Sequence, residues 1–402
     1  MKDLIKKTPI STYVIIGGSM LLLISFGIRH SSGLYMVPIS SYLNTGREVF
    51  GFAVAIQFLM IGFGSPLFGA IADKYGSSKA SLYGVIMVII GLYMMAYVEN
   101  NFDIIISQAI FGLGCAGCGT AVILGAVGKA VNEKNRTLSL GIVMAAGSLG
   151  QFLIVPLAGF LIDISGWIQS IIYLCILASI MLIFCFLLTL PSKAVSEKNE
   201  VQQSLRSILD TAFANKSFNL LTLAFFVCGF HVSFVATHLP AFLDDLSMPI
   251  WIGSWSLALI GLFNVFGTLM FGQLGDKRSK KNLLAILYSL RSILFLIFIF
   301  IPKNEFTILL FAALLGILWL STVPLTSGII SVIFGTRYMS MLYGIAFLVH
   351  QIGSFLGSWF GGRIYDYYGS YEIMWWICVA LGLISAVMHI PIVEKPLSKK
   401  YS

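Results

Sequence analysis

Polar residues interrupt this chain so rarely that it divides into twelve long apolar runs, and that pattern limits it to very few folds. The runs fall at 12–38, 49–71, 80–98, 103–129, 138–162, 167–190, 218–243, 251–273, 281–301, 306–334, 338–365 and 371–392. About 20 apolar residues in a helix cross roughly 30 Å of hydrocarbon, so each run is long enough to be a membrane span. Of the 402 residues 58% are hydrophobic and only 10% charged, against roughly 45–50% and about 25% in soluble domains. So few charges cannot cover a water-facing surface. Soluble enzymes, secreted disulfide scaffolds and nucleic-acid binders are thereby excluded. The first run is too long for a signal sequence and lacks a small-residue cleavage site, so it is read as a span. All six cysteines, Cys115, Cys118, Cys175, Cys185, Cys228 and Cys378, fall in apolar runs. The Cys115-x-x-Cys118 pair has neither a histidine nor an acid beside it in sequence, so packing is expected rather than a metal site. No cofactor, metal or enzymatic nucleophile is expected.

One polar stretch, 191–217, separates six spans from six. The expected organisation is a six-helix bundle over 1–190, a cytoplasmic central loop over 191–217 and a second six-helix bundle over 218–402. With the N-terminus inside, 20 of the 25 Lys and Arg residues fall on one side. Arg47, Lys303 and Arg363 fall on the other, and Arg29 and Arg291 lie within spans. Cytoplasmic segments carry such an excess of cations, so both termini are expected in the cytoplasm of a multi-pass (inner) membrane protein. The net charge of +8 is then a topology signal and not a nucleic-acid footprint.

The two sets of spans repeat. Gly69-Ala-Ile-Ala-Asp73-Lys74 after span 2 recurs as Gly272-Gln-Leu-Gly-Asp276-Lys277 after span 8, with Asp73 and Asp276 203 positions apart. Gly159-Phe-Leu-Ile-Asp163 after span 5 recurs at the same offset as Gly362-Arg-Ile-Tyr-Asp366 after span 11. Spans 1 and 7 align at 202, pairing Gly27 with Gly229 and Pro38 with Pro240. Two similarly oriented six-helix halves are the plan of parallel-repeat secondary transporters.

Gly69-Ala-Ile-Ala-Asp73-Lys74-Tyr-Gly76-Ser-Ser-Lys79 closely resembles the loop 2–3 signature of the major facilitator superfamily, departing only at Ser78. The resemblance covers the whole chain. It implies an all-α membrane protein of twelve helices in two pseudo-symmetric bundles, working as a monomer in the bilayer. It also implies that this loop latches the halves on the cytoplasmic side, with Asp73 capping a facing helix and pairing with a loop 4–5 cation, Arg136. Lys74, Asp276 and Lys277 are the companion gating residues. Within the superfamily the chain resembles the monocarboxylate-transporter-like branch, through Phe225-Phe-Val-Cys-Gly-Phe-His231-Val-Ser-Phe in span 7 and Gly344-Ile-Ala-Phe-Leu-Val-His350-Gln351 in span 11. The Gly-Pro signature of drug antiporters is absent from span 5, which reads Gln151-Phe-Leu-Ile-Val-Pro156.

All 17 acids lie outside the membrane core, whereas Arg29, His30, His231, Arg291 and His350 lie within spans. A buried arginine stays charged and ionisable groups at this depth are costly. A core with fixed positive charge and no carboxylate attracts anions. The resemblance places spans 1, 4, 7 and 10 around the cavity, and the 202 register sets Arg29 opposite His231. The expected substrate contacts are Arg29, His30, His231, the span 10 residues Trp319, Ser321 and Thr322, and His350 with Gln351. A small organic anion, a mono- or dicarboxylate, is the expected substrate, with proton coupling through histidine or substrate as one option. Efflux of amphipathic compounds is the alternative. Arg291 is open between an internal contact and a functional one, and His238 and His389 are expected at the interface.

Overall fold

Lipid offers the backbone no hydrogen-bond partners, so a spanning chain that does not close into a barrel must be helical. The computed structural model describes residues 10–188, 205–335 and 339–397, and no strand occurs among them. Span 1 is α1 (Ile10–His30), a 3-10 turn (Ser32–Tyr35) and α2 (Met36–Tyr42). Spans 2 and 3 are α3 (Arg47–Tyr75) and α4 (Ser77–Ala96). Span 4 is broken into α5 (Asn101–Gly117) and α6 (Thr120–Ala130). Spans 5 and 6 form one long element, α7 (Glu133–Cys185), interrupted at Gly166 with φ 80° and ψ 167°. Its 53 residues would measure about 80 Å as one rod, over twice the membrane core. The left-handed turn, which glycine adopts without a Cβ penalty, folds it into two crossings. The eleven long apolar helices thus make twelve spans.

A linker helix α8 (Leu205–Ala214) precedes the second half. Span 7 is α9 (Lys216–Asp245), span 8 α10 (Ile250–Lys277) and span 9 α11 (Lys280–Phe300). Span 10 is broken into α12 (Glu305–Leu318) and α13 (Thr322–Phe334). Spans 11 and 12 are α14 (Met339–Tyr368) and α15 (Glu372–His389). The breaks obey the repeat: after them the helices resume at Thr120 and Thr322, 202 positions apart. Of the central loop, 191–204 lie outside the described residues.

Small residues let membrane helices approach closely, and both halves use them alike. A Cβ on Gly150 of span 5 would collide with Leu23 O of span 1, and one on Gly353 of span 11 with Phe226 O of span 7. One end of the bundle, here the acidic end, holds the 1–2, 7–8 and 11–12 connections. The other, the basic end, holds most of the Lys and Arg among the described residues.

Three spans carry glycine pairs 18 residues apart, five turns and about 27 Å along one helix face. At the acidic end of each pair the other half is in contact. A Cβ on Gly51 would lie 2.6 Å from Ser358 O, one on Gly159 2.7 Å from Ser254, and one on Gly362 would collide with Arg47 O. At the basic end, Gly69, Gly141 and Gly344 have nothing within 4 Å. Between them Gly62 would meet Gln351 at 3.1 Å. The halves therefore touch at the acidic end and diverge toward the basic end, leaving a wedge-shaped cleft.

Candidate functional site

Span 1 carries partly exposed Met20, Leu23, Phe26 and Arg29 at helical spacing, and everything from His30 to Met36 is buried. Arg29 therefore sits where exposure along the helix ends. Its Nη2 lies 3.2 Å from His30 Nε2, its guanidinium lies 4.6 Å from the Phe26 ring centroid, and its Nε has no partner. The ionisable groups facing it are Cys115 and Cys118 of span 4. No carboxylate pairs with it among the described residues. A guanidinium has five N–H donors and no acceptor, so this one keeps donor capacity for an anion.

His231 is not brought to Arg29. It is fully buried with Nε2 2.9 Å from Cys378 O, and its ring packs edge-on to Phe295 at 5.0 Å. The 202 register pairs the two positions in sequence, but the imidazole points at span 12, because a backbone carbonyl and an aromatic ring are available there. The span 10 residues are also turned inward. Trp319, Ser321 and Thr322 are buried, Ser321 Oγ donating to Ile317 O at 2.6 Å and Thr322 Oγ1 lying 3.2 Å from Cys228 Sγ. The partly exposed face of the same span presents Val323, Ser327 and Ser331. His350 and Gln351 are buried at the interface of the halves, where Gln351 Nε2 donates to Phe58 O at 3.1 Å. His238 and His389, expected at the interface with lipid headgroups, are buried too.

Arg291 has an internal role. It is fully buried, and its Nη2 donates to Leu318 O and, at 2.7 Å, to Trp319 O. These are carbonyls that the break in span 10 leaves free, at the negative end of α12. Asn264 Oδ1 accepts from Leu320 N at 3.0 Å on the other side of the break. The sequence showed the polar string in span 10 but not this clasp, because no local pattern links span 9 to a carbonyl of span 10.

The gating residues separate by end. Asp73 accepts from Lys129 Nζ at 2.5 Å. Both belong to the first half, so the pair does not bridge the halves. The last turn of α6 brings Lys129 to the loop; the expected partner Arg136 has its side chain outside the described residues. Lys74 lies 5.1 Å from the ring centroid of Tyr75, and Asp276 and Lys277 are exposed.

Among the described residues the ionic contacts that bridge the halves are at the acidic end. Arg47 binds Asp245 with both Nη atoms, at 2.7 and 2.6 Å, and stacks on Tyr365 at 3.8 Å. Asp366 accepts the backbone N–H groups of Arg47 and Glu48 at 2.8 and 2.7 Å, capping the start of α3 as an anion favours a helix N-terminus. Arg47 Nη1 also reaches Tyr371 OH at 3.2 Å. Tyr371 OH lies 3.1 Å from His238 Nδ1, whose Nε2 donates to Ser358 O at 2.7 Å. Glu48 accepts from Arg363 Nη1 at 2.9 Å and Trp359 Nε1 at 3.0 Å. Sequence reading missed this seam, although the scarcity of cations at this end marked Arg47 and Arg363.

Comparison with known proteins agrees with the architecture. The family description Major Facilitator Superfamily matches residues 17–358. The uncharacterized MFS-type transporter YcxA of Bacillus subtilis is 24% identical over 92% of this chain and 93% of its own length. The oxalate:formate antiporter of Oxalobacter formigenes is 21% identical over 89% and 85%. Monocarboxylate transporter 13 of Rattus norvegicus is 21% identical over 86% and 80%. Among solved structures, a D-xylose-proton symporter superposes with a TM-score of 0.74 at 16% identity, covering 96% of this chain and 99% of that one.

Proposed function

The chain belongs to the Major Facilitator Superfamily, and we propose that it carries a small carboxylate through the cleft by alternating access, with Arg29 as the anion ligand. The observation that carries this reading is the position of Arg29 at the end of the partly exposed stripe, with donors unused. An arginine fork matches a carboxylate with two parallel N–H donors. Similarity to an oxalate:formate antiporter and to monocarboxylate transporters supports the same substrate class. His30, beside Arg29, and the hydroxyls of Ser327 and Ser331 on the exposed face of span 10 orient the solute. The cation asymmetry supports a topology with both termini, and the mouth of the cleft, on the cytoplasmic side.

Proteoliposomes loaded with unlabelled oxalate, formate or lactate and offered the labelled compound outside test this reading. The parent exchanges at least one of the three. A charged hydrogen bond contributes about 1.5–3 kcal/mol, so Arg29→Gln weakens apparent affinity by roughly one to two decades, and Arg29→Lys retains part of it. Exchange by Arg29→Gln equal to the parent's, or transport of amphipathic cations in place of carboxylates, would overturn the assignment.

A further inference from the structure

The breaks in spans 4 and 10 occupy matching positions but are held differently. We propose that Asn264 of span 8 is a positioning residue that gears the bend of span 10 to the rocking of the two halves, whereas span 4 bends without such a gear. The gear does not depend on which solute the cleft takes.

Asn264 lies where the seam between spans 5 and 8 gives way to the cleft. Counted from the acidic end, Gly159 packs on Ser254, and Gln151 Nε2 donates to Leu257 O at 2.8 Å. A Cβ on Gly261 would then lie 2.9 Å from Gln151. Next, Asn264 Nδ2 donates to Ser148 Oγ at 3.1 Å. Farther along the same two spans, Gly141 and Gly272 have nothing within 4 Å. Ser254, Leu257, Gly261 and Asn264 follow helical spacing and share one face. A bond at the fulcrum of a rocking motion changes angle more than length, so the Ser148–Asn264 bond can persist while the ends open and close.

The same side chain holds the break. Leu320 N, between α12 and α13, donates to Asn264 Oδ1 at 3.0 Å, and Thr268 Oγ1 donates to that oxygen at 3.2 Å. A backbone N–H only donates, so the amide oxygen must face Leu320 and the NH2 must face Ser148. No flip of the amide keeps both bonds. α12 itself rides on span 8 backbone to backbone: a Cβ on Gly316 would lie 2.8 Å from Ile260 O, and one on Gly267 would collide with Ile317 O. The turn that follows α12 is thus held by the residue that also holds the other half. Rotation of span 5 against span 8 tilts the amide plane, and through Leu320 it redirects α13, which carries Ser327 and Ser331.

The internal repeat supplies the control. Asn264 corresponds to Ile61 of span 2 at an offset of 203, and Leu320 to Cys118 of span 4 at 202. An isoleucine side chain has no hydrogen bond to give, and Cys118 N donates to Gly114 O at 3.1 Å within its own span. Ser148 corresponds to Gln351 at 203, which also crosses between the halves. Its partner there is Phe58 O at 3.1 Å, a carbonyl inside the continuous helix α3. Both halves therefore cross the seam at matching places, and the crossing at Asn264 continues into the backbone of a broken helix.

The test is amide hydrogen exchange of the full chain in detergent, read by mass spectrometry on peptides containing Leu320 and Cys118. Asn264→Leu removes both bonds, and Ser148→Ala removes only the one between the halves, so it serves alone if the leucine variant does not fold. Loss of one buried hydrogen bond should speed exchange at Leu320 by roughly two- to tenfold. Exchange at Cys118 should stay at the parent's rate, although Ser148 belongs to the same half as Cys118. A short bis-maleimide joining cysteines placed at Gly69 and Gly344 then draws the halves together at the basic end, with the joined peptides identifying the cross-linked chains. This cross-link should change exchange at Leu320 at least twofold in the parent and by less in Ser148→Ala. Exchange at Leu320 indifferent to Ser148→Ala, an equal rise at Cys118, or a response to the cross-link as large in Ser148→Ala as in the parent would each overturn the gear.

Discussion

The two ends of this protein hold their charges in opposite ways. Among the described residues most Lys and Arg belong to the basic end, yet the ion pair described there, Asp73 with Lys129, stays within one half. The acidic end has few cations, and Arg47 and Arg363 both bridge the halves. Number of charges and mechanical role are therefore separable. A surplus of cations orients a chain in the membrane. Holding two bodies together takes a desolvated, bidentate contact, and Arg47 with Asp245 has side-chain exposures of only 12% and 29%. At the basic end the corresponding values for Lys129 and Asp73 are 57% and 73%, the regime in which ion pairs contribute little.

The sharpest way to break this contrast is Arg47→Ala. It removes a charged pair worth about 1.5–3 kcal/mol, so the population open at the acidic end should rise at least about tenfold. An impermeant maleimide applied to a cysteine at Thr237, which is 2% exposed, reads this directly. An unchanged labelling rate would show that glycine packing alone closes that end.

A smaller and two-signed effect is expected from the glycines of span 2. Gly51→Ala forces a Cβ against Ser358 O and should cost about 1–3 kcal/mol. Gly69→Ala meets nothing and should gain up to about 1 kcal/mol of helix propensity. Thermal melts of the two variants should move in opposite directions; a shared fall would mean that the basic end is packed after all. The smallest effect belongs to Asp73→Asn. Loss of an exposed pair should leave the melting temperature and binding at Arg29 within a few-fold of the parent, while slowing a cycle that must close the basic end. A loss of binding as large as that of Arg29→Gln would place Asp73 in the substrate site instead.

The spans, the repeat and the family were legible because each rests on long-range pattern in hydropathy and spacing. The orientation of individual side chains was not. In a soluble helix the polar face marks solvent, but here lipid and packed protein are both apolar, so nothing local told which way His231 turns. Its carbonyl partner at Cys378 lies 147 residues away. The glycines of span 4 were readable as a place of close packing, and Gly112, Gly114 and Gly117 do meet neighbouring backbone. That the helix also stops at Cys118 depends on how α5 and α6 are held, which sequence does not state. The seam around Arg47 joins residues as far apart as Glu48 and Arg363, and no periodicity connects them.

The matched breaks in spans 4 and 10 give the molecule leverage. On the basic side of each break stands a short stiff rod, α6 of 11 residues and α13 of 13, about 17 to 20 Å long. Pivoting such a rod by about 15° moves its free tip by roughly 4 to 5 Å at that length. Bending at these two points would displace the mouth while leaving the seam at the far end in place.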